Sequence, residues 1–328
     1  MRDRLHVTTV ARILTVATIA YAPCSLAADA APWLLYRDAN PFVAASGLPF
    51  APPVAAEGWS VEALVDASNT EVAFERGGER LTYDAEIHAA RIAVTRAFGP
   101  HWLVRATLAE LDIGSGFLDG FLEDYHRMFG FSNGDRGRLV TDGHTIRYDD
   151  GNVANTVAFD RRLHALSPLL VDLAFRGDAS ERAEWMAGAT VKVPTSHASA
   201  LVDDRSTDLS LWLALQSTDA QARWPWGARV GLMQRGNTQL LADRANDQVP
   251  FADAMIGYRL TPHWDVAAQL QWHAALYDSR VPLLQDAATL ALSSAWHADA
   301  GWTFRAGLVE DAIPRHAQDV TFFLALSL

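Results

Sequence analysis

Trp264-Asp265-Val266-Ala267-Ala268-Gln269-Leu270-Gln271-Trp272-His273 is the stretch that decides the fold. Trp264, Val266, Ala268, Leu270 and Trp272 share one parity, with Ala274 continuing it, while Asp265, Gln269, Gln271 and His273 share the other. Such a two-residue period marks a strand with one apolar and one polar face. The same alternation recurs downstream. Trp302, Phe304, Ala306 and Leu308 alternate with Thr303 and Arg305, and Val320, Phe322, Leu324, Leu326 and Leu328 form an apolar parity in the last segment. An apolar final strand of this kind is how outer-membrane barrels close, and it is the segment that the barrel-assembly machinery would engage.

Working outward, the period predicts about twelve strands. They fall at 58–67, 80–98, 102–108, 169–175, 182–193, 207–216, 226–234, 251–260, 264–275, 287–297, 302–310 and 319–328. The charged stretch 70–80 reads as a loop. In the second strand Leu81, Tyr83 and Ile87 oppose Ile92 and Val94 in parity, which predicts a bulge near Ala89–Ala90 or an extension above the membrane. Counted back from Leu328, short and long connections alternate, as periplasmic turns and external loops do in a membrane barrel. Each strand that leaves a short turn carries an early tryptophan: Trp59, Trp102, Trp185, Trp226, Trp264 and Trp302. An indole joins an apolar body to a polar N–H, so a ring of them is expected as an interfacial girdle.

Half of the 328 residues are apolar, yet mean hydropathy is near zero. No run of about 18 apolar residues exists, which excludes helical membrane spans. The net charge of −12 argues against a nucleic-acid partner. Residues 1–28 read as a signal peptide: Arg2, Arg4 and Arg12 are basic, Ile13–Ala22 is apolar, and Ser25-Leu26-Ala27 is a small-residue cleavage site. Cys24, the only cysteine, lies inside it, so no disulfide framework is expected. Residues 29–57, rich in Ala and Pro, read as an extended lead-in, either periplasmic or tucked into the lumen. Residues 58–328 form the barrel. Its long insert, 112–167, is predicted to carry an amphipathic helix at 116–130 and a polar hairpin around Asp149-Asp150-Gly151-Asn152. The fold expected is all-β, an antiparallel transmembrane barrel with one extracellular excursion, in the outer membrane of a Gram-negative cell.

The excursion carries a resemblance. Ile113-Gly114-Ser115-Gly116-Phe117-Leu118-Asp119-Gly120-Phe121-Leu122-Glu123-Asp124-Tyr125-His126, then Phe129-Gly130, resembles the signature of an uncharacterised proteobacterial family of outer-membrane barrels. Arg37, Asn40-Pro41, Gly47-Leu48-Pro49, Lys192-Val193-Pro194-Thr195, Ser206-Thr207-Asp208, Tyr277-Asp278-Ser279, Glu310-Asp311 and Asp319-Val320 extend it in order along the chain. Tyr125 and Ala39 depart from the usual pattern, where Trp and Asn stand. The resemblance implies a barrel in the cell envelope and brings no activity, so no catalytic residues follow from it.

Two sets of residues could carry function. Asp119, Glu123 and His126 are the best catalytic constellation, since Glu123 precedes His126 by one helical turn. The helix reads more simply as an aromatic-faced element packed on the barrel rim, with its charges solvated. Gly114-Ser115-Gly116 lacks the spacing of a nucleophile elbow. The dispersed histidines and missing calcium-loop spacing predict no metal and no cofactor. The second set is the inward parity: Arg91, Arg105, Arg176, Lys192, Arg229, Arg235, Arg259 and Arg305 with Asp172, Asp253 and Asp265. Cations outnumber acids there, which reads either as a narrow pore favouring small anionic solutes or as a closed, salt-bridged lumen. The sequence thus supports a channel or uptake barrel, with an envelope-modifying enzyme or a structural barrel that binds partners through 112–167 as alternatives. Outer-membrane lipid is the surrounding partner in each case.

Overall fold

The computed structural model describes residues 32–54, 58–129, 143–177, 180, 182–219 and 222–328, without the side chains of 123, 125, 126 and 129. Twelve antiparallel strands close a barrel: β1 (Trp59–Arg76), β2 (Glu79–Phe98), β3 (Trp102–Gly114), β7 (Leu169–Arg176), β8 (Ala183–Val193), β9 (Leu209–Ser217), β10 (Trp226–Gln234), β11 (Gln248–Thr261), β12 (Trp264–His273), β13 (Ala287–His297), β14 (Thr303–Asp311) and β15 (Val320–Ser327). β1 pairs with β15 from Glu62↔Ser327 to Asn69↔Val320, which removes both sheet edges. Three further strands belong to the excursion. β4 (Thr145–Asp149) adds to β2, β5 (Val157–Phe159) to β4, and β6 (Leu163–Leu166) to β3.

Outward side chains form an apolar belt. Leu211, Leu213, Val230, Ile256, Leu270 and Leu292 are all exposed, although they lie in the middle of regular strands. Water would not favour such a band; hydrocarbon does. The six tryptophans Trp59, Trp102, Trp185, Trp226, Trp264 and Trp302 stand exposed at the short-turn end.

One expectation needs correcting. The charged stretch 70–80 is strand, because β1 and β2 continue as a hairpin through Arg76↔Glu79. Gly77 and Gly78 make its turn at φ 64° and 87°, the left-handed pair that a two-residue hairpin loop requires. The charges read as a loop are the solvated parity of a ribbon that rises past the apolar belt. For β2 the structure decides between the two readings offered. Its register with β1 runs uninterrupted from Trp59↔Arg96 upward, so the parity conflict arises from the extension, not from a bulge. Odd positions face inward throughout: Leu81, Tyr83 and Ile87 high in the barrel, Arg91 and Thr95 low. The apolar residues change sides because the upper interior is an ordinary core, while the lower exterior faces lipid.

Residues 32–54 occupy the interior. They rise from the short-turn end, reverse through a single helical turn, α1 (Pro41–Ala44), and descend again past Phe50 and Ala51. Asn40 caps α1 by accepting the Phe42 N–H, with Pro41 at the first helical position. Of the two placements open for the lead-in, the lumen is the one observed. Above the hairpin, Tyr83, Ile146, Tyr148, Leu241, Tyr277 and Leu283 join a buried apolar cluster that includes Phe42. Helix α2 (Leu118–Phe129) lies elsewhere, against the outer surface of the barrel.

Candidate functional site

The inward cations meet the hairpin. Arg305 donates to the carbonyls of Pro32 and Trp33 at 3.2 and 3.0 Å. Arg105 reaches Ala51 O at 2.7 Å, and Arg229 donates to Phe50 O and Pro49 O. Lys192, wholly buried, donates to Ala45 O at 2.7 Å. All four target main-chain oxygens, for which any residue would serve. Each cation except Arg305 also has an acidic partner among the described residues: Arg105 with Asp172 at 2.8 Å and Arg229 with Asp253, both on the wall, and Lys192 with Asp204 in a loop. The pairing offsets the cost of removing these charges from water.

The remaining predicted residues are placed differently. Arg91 pairs with Asp66 at 2.9 Å and sits over the Phe50 ring at 5.0 Å, so it touches the hairpin through an aromatic face. Arg235 faces inward, but donates to Leu276 O and Asp204 in the loops. Arg176 and Arg259 lie near the short-turn end, only partly buried, Arg176 within 3.6 Å of Glu184 and Arg259 opposite Asp265 in register. Asp265 is buried beside His297. Arg105, Lys192, Arg229 and Arg305 are thus brought together on one object, with Arg91 beside them.

Period-two reading missed a second layer of contacts. Gln269 bonds both the N–H and the carbonyl of Leu34, Gln271 donates to Tyr36 O at 2.8 Å, and Gln216 accepts from the Trp33 indole at 2.7 Å. His273 meets Asp38 at 3.2 Å, and Tyr277 donates to Phe42 O at 2.9 Å. Arg37 ties the hairpin to itself, donating to the carbonyls of Ala44, Ser46 and Leu48. Gly47 presents its N–H to Asp208 at 2.7 Å, and a Cβ there would lie 2.5 Å from that of Asp208, so a side chain would push the descending limb off the wall. One signal for this layer was available. Arg37, Asn40, Gly47, Lys192, Ser206, Asp208 and Tyr277 all carry the family resemblance, and all gather at the hairpin and its clamp.

The catalytic candidates fall outside the barrel. Asp119 is buried between α2 and the outer wall, where Asn69 donates to it at 2.6 Å. The side chains of Glu123 and His126 lie outside the described residues, so the proposed constellation has no described geometry. Glu71, Asp84 and Asp119 place carboxylate oxygens within 4.8 Å of one another, but each is also engaged by other groups.

A family model described as "Protein of unknown function (DUF3187)" matches residues 15–328. No curated protein matches the chain. Among solved structures, an outer membrane channel from Pseudomonas putida F1 aligns with a TM-score of 0.54 and 10% identity, over 84% of this chain and 96% of that one. The NanC porin gives a TM-score of 0.48 and 11% identity, over 82% and 98% of the two chains. The first likeness shows that this chain has the fold of an outer-membrane barrel.

Proposed function

The chain belongs to the DUF3187 family, and we propose that it is an outer-membrane channel for small anionic solutes, closed at rest by its own hairpin of residues 32–54. The short-turn end faces the periplasm in this reading, and the excursion faces outward. One observation carries it: Arg105, Lys192, Arg229 and Arg305 hold the hairpin through main-chain carbonyls. A carboxylate or phosphate is a stronger acceptor for these cationic donors than a neutral carbonyl, because its full charge adds Coulombic attraction and it can accept two N–H bonds from one guanidinium. An anion entering the lumen therefore competes for the groups that keep the hairpin seated. A barrel of twelve strands is narrow, between filled eight-stranded barrels and open sixteen-stranded porins. The similar P. putida structure is itself an outer membrane channel, which supports the reading.

Single-channel recording in planar bilayers under a salt gradient tests this. Wild-type protein is expected to stay closed with brief anion-selective openings. The double variant Arg229→Ala, Arg305→Ala should open for longer and with weaker anion preference. A folded double variant that carries no current would overturn the channel. It would favour a structural barrel instead, a reading supported by the apolar cluster above the hairpin.

A further inference from the structure

Helix α2 (Leu118–Phe129) does not enter the lumen. Its Leu118 and Leu122 pack against Ala67, Val320 and Phe322. In β1 and β15 the inward side chains are Ser68, Thr321 and Phe323, so the residues under the helix all belong to the outward parity. The helix therefore lies on the outside of the barrel, across the β1–β15 junction that closes it. Its start is fixed to the same wall: Leu118 N–H donates to Glu86, and Asn69 donates to Asp119.

Its height is defined by the strand beneath. Along the outer face of β1, Trp59, Val61, Ala63, Val65 and Ala67 are apolar, and Asn69 and Glu71 follow. The apolar belt ends where the helix sits. At about 3.6 residues per turn, Phe121 and Met128 fall on one stripe, next to the wall-facing Leu118 and Leu122, and Phe117 immediately precedes the helix. Phe117, Phe121 and Met128 are 67%, 54% and 72% exposed. Asp124 and Arg127, paired at 2.7 Å, lie on the side away from the wall. Wall contact, exposed aromatic stripe and charged side follow one another around the helix. That order suits a helix lying in the plane of a bilayer surface, with its aromatic stripe turned into the acyl chains and its charges toward the headgroups.

We propose that α2 is an interfacial helix whose Phe121–Met128 stripe, with Phe117 just before it, is covered by acyl chains of the membrane leaflet at the long-loop end, extending the lipid belt over the β1–β15 junction. Continuity of this stripe with the outward belt of β1 and β15 selects lipid as the occupant. The alternative occupant is a second copy of the chain, docked stripe to stripe.

The test places single cysteines in the full chain, with Cys24 replaced by serine, each labelled with an environment-sensitive fluorophore after refolding into phospholipid vesicles. Phe121→Cys and Met128→Cys report the stripe, Asp124→Cys the charged side, and Val153→Cys, in the 90% exposed loop position, water. Labels at 121 and 128 should be quenched severalfold more by acyl-chain nitroxide lipids than the label at 153, with 124 intermediate. Protease resistance of the barrel confirms folding in each case. Equal quenching at 121, 128 and 153 would overturn the proposal. So would efficient cross-linking between Met128→Cys copies, which would assign the stripe to a dimer. Neither result bears on whether the lumen conducts, so the channel reading stands or falls separately.

Discussion

The two halves of the barrel interior share apolar packing, in which the hairpin takes part through Leu34, Trp33 and Phe50, but differ in what else holds their contents. Below, a polypeptide hairpin is held by guanidinium, ammonium and amide donors from the wall. Above, loops and excursion strands meet in an apolar cluster built on Leu81, Tyr83, Ile146, Leu241 and Leu283. A core sealed by dispersion and hydrophobic burial has no cheaper partner than itself. A hydrogen-bonded inner segment does, because water or an anion can satisfy the same donors. Under the proposed channel reading, the hydrogen-bonded hairpin is the part that solute displaces and the apolar cluster the part that stays.

The largest effect is expected in the lower half. Lys192→Met removes the donor to Ala45 O and Ser206 and leaves Asp204 and Asp208 buried without it. Breaking a buried pair by deleting one partner costs about 3–5 kcal/mol. Urea unfolding in detergent should show that loss, and the hairpin should become a substrate for protease added from the short-turn side. In the upper half, Leu81→Ala, at a fully buried position, should cost about 2–4 kcal/mol by leaving a cavity. That variant should unfold earlier yet keep its hairpin protected. If Leu81→Ala exposes the hairpin as readily as Lys192→Met, the interior is one cooperative unit and the comparison fails.

How much of this was legible in the sequence depends on the length of the signal. The twelve strands were, because each repeats a two-residue period over seven or more positions against a uniform lipid exterior. Inward arginines were legible for the same reason. What they touch was not, since residues 32–54 have no periodicity and backbone carbonyls leave no trace in side-chain pattern. Only the motif residues Arg37, Asn40 and Gly47 marked the hairpin, and their roles as self-staple, cap and close-approach glycine need the fold to be seen. The 70–80 stretch misled because charged residues suit an exposed ribbon as well as a loop, though the Gly77-Gly78 turn was visible. Helix α2 was legible as amphipathic. Which side of the barrel it would lie on was not, because its apolar stripe fits a rim, a lumen or a membrane equally well.

The smallest expected effect concerns how the excursion is fastened over the upper half. Burial alone would raise the Asp150 carboxyl. The Arg244 guanidinium, the Asn152 N–H and the Asn155 amide together outweigh that and hold it below the ordinary carboxylate range. Asp204, in the loop before β9, is lowered in the same sense by Lys192, Thr238 and Ser206 against its burial. A carboxyl depressed on folding adds stability above its unfolded pKa of about 4, and that stability is lost as pH falls through the folded value. Hydrogen exchange of residues 145–159 should therefore be slow and flat from neutral pH down to about 5, then quicken once intrinsic rates are corrected for pH. Arg244→Gln should make exchange there fast at neutral pH and remove most of the acid response, while the hairpin, held from the other half, stays protected. If Arg244→Gln also exposes the hairpin at neutral pH, where the Lys192–Asp204 pair is intact, the two halves share one fastening rather than two.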